Sequence, residues 1–202
     1  MAGDYAVIVV DPPWKFVGGS LPSLHTDAHG RKHFVDKPLE VYQYPTMSHK
    51  EMQEFFSTTV AELAAEDAVL FLWTTDAHLD VAVELGKLAG FKYATVGFIW
   101  NKKEKSGKQV CFMGRWTMKG SEICLLFSKG KAHSKLLKSR KVRQLVEAQR
   151  REHSRKPDEV MHRIEQMFPD VKRIELFARQ SRPGWDSFGN EVGKFDEMDV
   201  LL

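Results

Sequence analysis

The chain has 202 residues with 30 Lys and Arg against 27 Asp and Glu, a formal charge of +3. At about 100–200 residues per domain it reads as one domain spanning 1–202. Its 43% hydrophobic and 28% charged residues exclude a wholly disordered or collagen-like chain, and its longest strictly apolar run, Ala68–Trp73, falls far short of the roughly twenty residues of a membrane span.

Asp4 precedes a short apolar run, Tyr5-Ala-Val-Ile-Val-Val10, so the N-terminus does not read as a secretory signal. The run itself is β-branched and nearly continuous, the pattern of a strand buried on both faces. Residues 15–44 have little periodicity, contain Gly18-Gly19 and Pro22, and read as a long loop, with 15–43 expected to cover an active site. Ser48 and Glu51 fit a capping box ahead of Met52, Phe55, Phe56, Val60 and Leu63, which predicts a helix over 49–65. Ala68–Thr74 is a second buried strand, and a helix over 77–89 stops at Gly90, a residue suited to a left-handed terminator. Tyr93–Trp100 and Glu122–Phe127 read as strands flanking a mobile Lys/Gly-rich segment, and Arg143–Ala148 is a further candidate strand.

Pro157, with Asp158 and Glu159 beside the positive helix end, starts a helix over 157–168. Val171–Phe177 is a strand, Asp186–Asn190 a short one, and 192–202 a frayed acidic tail. Strands alternating with helices predict an α/β fold with a mainly parallel sheet. In such sheets ligands bind beyond the carboxyl ends of the strands. Cys111 and Cys124 sit in no paired metal spacing, so a reduced cytoplasmic protein without disulfides is expected.

The small net charge conceals an asymmetry. Lys129–Lys156 holds eleven Lys/Arg and two acids, +9 in 28 residues, leaving −6 elsewhere. Such a run suits either a polyanion partner, because neutralised phosphates release counterions, or a solvated loop with basic ends.

The first strand ends in Asp11-Pro12-Pro13-Trp14. A carboxylate at a strand's carboxyl end accepts hydrogen bonds from an amino group in the cleft. Pro12 has a restricted backbone that fixes its carbonyl as a second acceptor, and Pro13 adds no N–H to compete. Trp14 offers a face on which a base can stack, worth ~1–3 kcal/mol. Two acceptors and a platform describe a receptor for a planar aromatic amine.

Asp-Pro-Pro-Trp after a hydrophobic strand resembles the adenine-N6 methyltransferases related to the catalytic subunit of the eukaryotic messenger-RNA adenosine methyltransferase. Tyr44-Pro-Thr-Met-Ser48, Leu70-Phe-Leu-Trp73 and Ile99-Trp100-Asn101-Lys102 match that family in order. So do Gly114-Arg-Trp116 with Gly120-Ser-Glu122, Ser154-Arg-Lys156-Pro-Asp-Glu159, Ile174-Glu-Leu-Phe-Ala-Arg179 and Trp185 with Gly189-Asn190. Arg151–Glu159 and Ser181–Trp185 are most similar to short bacterial and phage-borne members. The resemblance implies a Rossmann-like, S-adenosyl-L-methionine-dependent methyltransferase fold with helices on both sheet faces. It also implies a permuted motif order, with the catalytic strand first and the cofactor strand near the C-terminus.

It further implies a division of roles. Asp11, Pro12, Pro13 and Trp14 are catalytic. Asp11, Ser154, Lys156, Glu175, Leu176, Phe177, Arg179, Asn190 and Glu191 hold the cofactor, with Lys156 facing its methionine carboxylate and Asn190-Glu191 its adenosine. Tyr44, Trp116, Glu122, Arg140, Arg143 and Arg151 bind substrate. Two departures stand out. Only ten residues precede Asp11, where the related messenger-RNA enzyme has an adenine-contacting segment. The loop after the tetrapeptide is also expanded and carries His25, His29 and His33, without an acid–His pattern for a metal.

The implied reaction is direct attack by the adenine amino nitrogen on a sulfonium methyl, aided by preorganised acceptors and positioning, with no metal. The target base must be flipped out or already unpaired. DNA is expected ahead of RNA as the substrate, in a bacterial or phage-infected cytoplasm, with the protein a monomer or homodimer. A non-catalytic nucleic-acid-binding subunit and a small-molecule amine methyltransferase are the competing readings.

Overall fold

The computed structural model describes residues 3–15, 20–26, 29–38, 46–114, 116–152 and 155–196. Seven strands form one sheet: β1 (Tyr5–Val10), β4 (Ala64–Thr74), β5 (Lys92–Lys103), β6 (Ser121–Lys129), β7 (Leu145–Gln149), β8 (Arg173–Leu176) and β9 (Asp186–Phe188), in the order β7-β5-β6-β4-β1-β8-β9. β1 pairs in parallel with β4 and β8, as β5 does with β7 and β8 with β9, while β6 is antiparallel to both β4 and β5. Six strands therefore share one direction and β6 alone opposes them. The reversal brings the start of β6 to the edge at which β1, β4, β5 and β8 end.

The central position of β1 follows from its residues. Ile8 and Val10 pack into one core and Val7 and Val9 into another, so both faces are covered and only an uninterrupted apolar strand fits. On the first face lie α1 (His49–Phe55), a π-helical turn (Phe56–Val60), α2 (Ala61–Leu63) and α3 (Leu79–Leu88), which contribute Met52, Phe56, Val60, Ala82 and Leu85. On the second lie α4 (Ala132–Lys135) and α5 (Asp158–Met167), with Val160, Met161 and Ile164.

The capping box forms as its sequence predicts: Glu51 N–H donates to Ser48 Oγ at 3.3 Å and Ser48 N–H to Glu51 Oε2 at 2.7 Å. The π turn follows where the Thr58 hydroxyl bonds the Glu54 carbonyl at 2.7 Å, a side chain competing with the helical ladder. The helix stops at Leu63 because Ala64 already pairs with Tyr5, so β4 begins four residues earlier than its apolar run suggests. Gly90 ends the next helical segment at φ 84° as expected. Pro157 is the N-cap of α5, with extended backbone, rather than its first helical residue.

Two expectations are corrected. The segment after Trp14 is not a plain loop, for it holds an antiparallel ribbon of β2 (Ser20–Thr26) and β3 (Lys32–Pro38) in which His25 faces His33 in register. Pro22 and Pro38 argue against an interior strand, but each strand of a two-stranded ribbon keeps an open edge where no N–H is needed. The chain leaves and returns at one point, because Met47 N–H bonds the Pro13 carbonyl at 3.2 Å and Trp14 bridges Met47. The C-terminal tail is not frayed over 192–196, and 197–202 lie outside the described residues. Phe195 is buried, with the Arg155 and Arg179 guanidiniums over its ring at 4.9 and 5.0 Å.

Part of the basic run lies inside the fold. Arg155 is buried and donates to Gln180 Oε1 at 2.8 Å, and Lys156 turns inward. No helix among the described residues is long and apolar enough to cross a membrane.

Candidate active site

A cavity of about 410 Å³ opens at the strand ends. Asp11, Pro12, Pro13 and Trp14 leave β1, Thr74 ends β4 with Thr75 just beyond it, Glu122 lies at the start of β6, and Phe177, Ala178 and Arg179 follow β8. Thr46, Met47 and Glu51 come from the segment entering α1, Asn190 and Glu191 from beyond β9, and Lys156 from just before α5.

A chain of largely buried charges crosses this cavity. Lys156 Nζ lies 2.7 Å from Asp11 Oδ2 and 3.1 Å from Glu122 Oε2, and Lys102 pairs with the other oxygen of Glu122. Burial pushes the Asp11 carboxyl above its ordinary value, and the Glu122 charge adds to the rise against the pull of Lys156. Burial also disfavours the Glu122 carboxylate, but Lys156 and Lys102 outweigh it and hold that carboxyl below its usual range. For Lys156 the two carboxylates likewise overcome burial and raise its ammonium. One lysine between two acids thus keeps Asp11 and Glu122 on the same wall.

The β8 side is built by a close backbone approach. Phe177 has φ 60°, a conformation that costs a bulky residue about 1–3 kcal/mol and that tends to persist at functional sites. Its ring packs against Phe55 at 5.1 Å. A Cβ on Gly189 would lie 2.6 Å from the Ala178 carbonyl oxygen and 2.8 Å from its nitrogen, so only glycine lets the β9 exit lie against this turn. Arg179 pairs with Glu191 at 2.8 Å across the cavity rim.

Below lies a smaller hollow that shares Asp11, Lys156, Phe177 and Arg179 with the first and adds Glu175. Glu175 Oε2 makes no hydrogen bond, and Arg182 Nε stands 3.7 Å away. Burial pushes the Glu175 carboxyl up to about 7 despite Arg182, with Asp11 and Asp158 adding to the rise.

Trp14 is less available than its place in the tetrapeptide suggests. It is 5% exposed, donates Nε1–H to the Trp73 carbonyl at 3.1 Å, and stacks one face on His78 at 5.0 Å. At most one face remains for a ligand. The Pro12 carbonyl accepts from Trp14 N–H at 2.9 Å, which occupies one of its two lone pairs.

The MT-A70 family model matches residues 5–191, which takes in every element of this cavity. The chain belongs to the MT-A70 family. Its relatives include the type II methyltransferase M.MunI of Mycoplasma sp, 37% identical over 93% of this chain and 78% of that protein. A probable N(6)-adenosine-methyltransferase MT-A70-like protein of Oryza sativa is 29% identical over 99% of this chain. Human METTL3, an N(6)-adenosine-methyltransferase catalytic subunit, is 27% identical over 98%. The chain spans 25% and 30% of those two eukaryotic proteins.

In this MT-A70 methyltransferase the structure brings Asp11, Pro12, Pro13, Trp14, Glu122, Lys156, Phe177, Arg179, Asn190 and Glu191 to one cavity. Glu175 lies in the adjoining hollow, and Leu176 points into the core, because side chains alternate along β8. Trp116, Arg140, Arg143 and Arg151 do not line the cavity. Arg140 bonds His133 Nε2 at 3.1 Å, Arg143 is exposed, and Arg151 braces Asp158 at 2.6 Å and the Lys156 carbonyl at 2.7 Å. Tyr44 and Ser154 lie outside the described residues.

Several cavity residues were not singled out in the sequence. Thr74 ends a parallel strand with Thr75 just beyond it, so the strand-end rule alone could have found them. Thr46 and Met47 lie inside a quoted motif. Glu51 reads as a helix cap and gives no second signal, while Lys102, outside the lining but inside a quoted motif, gains its role through its pairing with Glu122.

Proposed function

We propose that the chain is an S-adenosyl-L-methionine-dependent methyltransferase acting on the N6 amino group of adenine in DNA, on a Rossmann-like fold whose catalytic strand precedes its cofactor strand. The observation that carries this reading is the meeting of Asp11 and Lys156 in one cavity of nucleoside-ligand size, about 410 Å³. The lining suits a donor that carries both charges, since Asp11, Glu51, Glu122 and Glu191 stand beside Lys156 and Arg179.

Lys156 supplies the cation for a methionine carboxylate. Phe177, Arg179, Asn190 and Glu191, with Glu175 beneath, supply the nucleoside end. S-adenosyl-L-methionine in this place supplies an electrophilic sulfonium methyl. Asp11 accepts a hydrogen bond from the adenine amino group, and its raised basicity strengthens that bond as positive charge grows on the nitrogen. The second lone pair of the Pro12 carbonyl accepts the other N–H. Removing one such preorganised group costs about 3–4 kcal/mol in typical enzymes.

DNA is favoured by the M.MunI match, a type II methyltransferase of which this chain spans 78%. The eukaryotic N(6)-adenosine relatives support RNA as the second reading. To decide, DNA and RNA are incubated separately with the protein and labelled S-adenosyl-L-methionine, digested and read by mass spectrometry. N6-methyldeoxyadenosine from DNA is expected. Label found only in RNA adenosine would move the substrate to RNA, and label in neither would remove the reading.

A further inference from the structure

Between β5 and β6 the chain makes an excursion, 104–120, that the cavity does not use. Because β5 ends and the reversed β6 begins at the sheet edge where Asp11 lies, the excursion rises beside the cavity mouth. It was expected to be mobile, yet its two limbs are fastened at Val110, Phe112 and Lys119. Val110 N–H bonds the Lys102 carbonyl at 2.9 Å, Phe112 and Lys119 exchange backbone bonds at 2.7 and 2.8 Å, and Val110 is buried. Lys119 Nζ pairs at 2.8 Å with Asp76, next to the cavity residue Thr75.

What this held arm displays is apolar. Trp116 is 91% exposed, and Phe112, Met113 and Met118 are exposed with it. The other four tryptophans, Trp14, Trp73, Trp100 and Trp185, are buried. Scattered apolar residues on a surface are ordinary, but an aromatic and three large neighbours on one fastened arm mark a contact surface. The charge around them identifies the partner. From Asn101 to Gly120 the sequence has six Lys/Arg and one acid; Lys102, Lys103 and Lys119 pair with acids, Lys105 and Lys108 stand exposed, and Arg150 lies over the Phe112 ring at 5.5 Å. Apolar tips set among basic residues are the chemistry of side chains that enter a stack of bases while cations hold the phosphates.

We propose that this arm is a wedge for duplex DNA, with Trp116 entering the base stack beside the target and filling the space that the extruded adenine leaves. The inference rests on the adenine-methyltransferase reading and adds to it that the substrate is double-stranded. Extruding a paired base has an unstacking and unpairing cost, which is least when the base is already unpaired. An aromatic that replaces the lost stacking offsets that cost only in the paired substrate.

Because Trp116 is the exposed member of the tryptophan set, acrylamide quenching of the intrinsic emission reports on it without requiring turnover. Saturating duplex DNA, with binding followed by anisotropy, is expected to protect the emission from acrylamide, and Trp116→Phe to lack that protected component. Methyl transfer by Trp116→Ala is expected to fall about 10- to 100-fold on a fully paired duplex. The fall should stay under about threefold when the target adenine is unpaired, and Trp116→Phe should recover most of the paired activity. Unchanged acrylamide access in the bound complex overturns the wedge, as does an equal loss on paired and unpaired targets. Protection that appears on raising protein concentration without DNA also overturns it, by making the arm an interface between copies. If no methyl transfer occurs with any substrate, the enzymatic reading fails while the quenching arm still judges the wedge.

Discussion

Lys156 Nζ stands 2.7 Å from Asp11 Oδ2, although 145 residues separate the two in sequence. The pair joins the exit of the first strand to the residue just ahead of the last long helix. Replacing Asp11 with Asn keeps the shape and removes the charge, so methyl transfer should fall at least about 100-fold. Stability should change far less than the ~3–5 kcal/mol of an orphaned buried charge, because Glu122 still faces Lys156 at 3.1 Å. Initial rates, with a urea melt of the same sample, check both halves.

Lys102 touches the site through Glu122. With Lys102→Met, Glu122 leans more on Lys156, and it draws that ammonium away from Asp11. Loss of a hydrogen bond to a charged group is worth ~1.5–3 kcal/mol, so kcat should drop about 10- to 100-fold. The acid limb of the pH–rate profile should move to higher pH, since the Glu122 carboxyl rises. Lys102→Arg should restore both, whereas a purely structural lysine would leave the limb in place.

Glu175 makes stability depend on pH. Its carboxyl is pushed up to about 7 in the folded protein, first by burial, from an ordinary 4.5. Between these values the folded state holds a proton that the unfolded state has released, so the Glu175 contribution is full below about 4.5 and is lost as pH rises through 7. Glu175→Gln removes the titration. Urea melts from pH 4 to 8 should show the wild type losing, relative to the variant, on the order of 3 kcal/mol. Parallel curves for the two proteins would contradict this.

Gly189→Ala places a Cβ 2.6 Å from the Ala178 carbonyl oxygen, against backbone that cannot swing aside. Overpacking of this kind costs ~1–3 kcal/mol. The displaced loop carries Asn190 and Glu191, so calorimetry should show weaker S-adenosyl-L-methionine binding, by tenfold or more, alongside a lowered melting temperature. Unchanged binding would mean that these two residues do not hold the donor.

Much of the sheet is legible in the residues because burial leaves a local mark. The Val7–Val10 run, the apolar stretch before Thr74 and the Ser48–Glu51 cap each report their own surroundings. The β2–β3 ribbon is not legible, since Pro22 and a polar turn hide a pairing that only an edge permits. Arg155 and Arg151 belong to the basic run expected to meet a polyanion or solvent, yet the first is turned inward and the second braces Asp158.

The sequence by itself determined the α/β alternation, the Asp11–Trp14 tetrapeptide at a strand exit, and the lysine before the last long helix. Local chemistry and spacing carry such information over a few residues. Tertiary structure alone decided that Lys156 lies between Asp11 and Glu122, that Trp14 gives one face to His78, and that Trp116 remains outside. Those are relations between distant segments. They are set by the reversal of β6 and the crossing connections of the sheet, which no local pattern of side chains encodes.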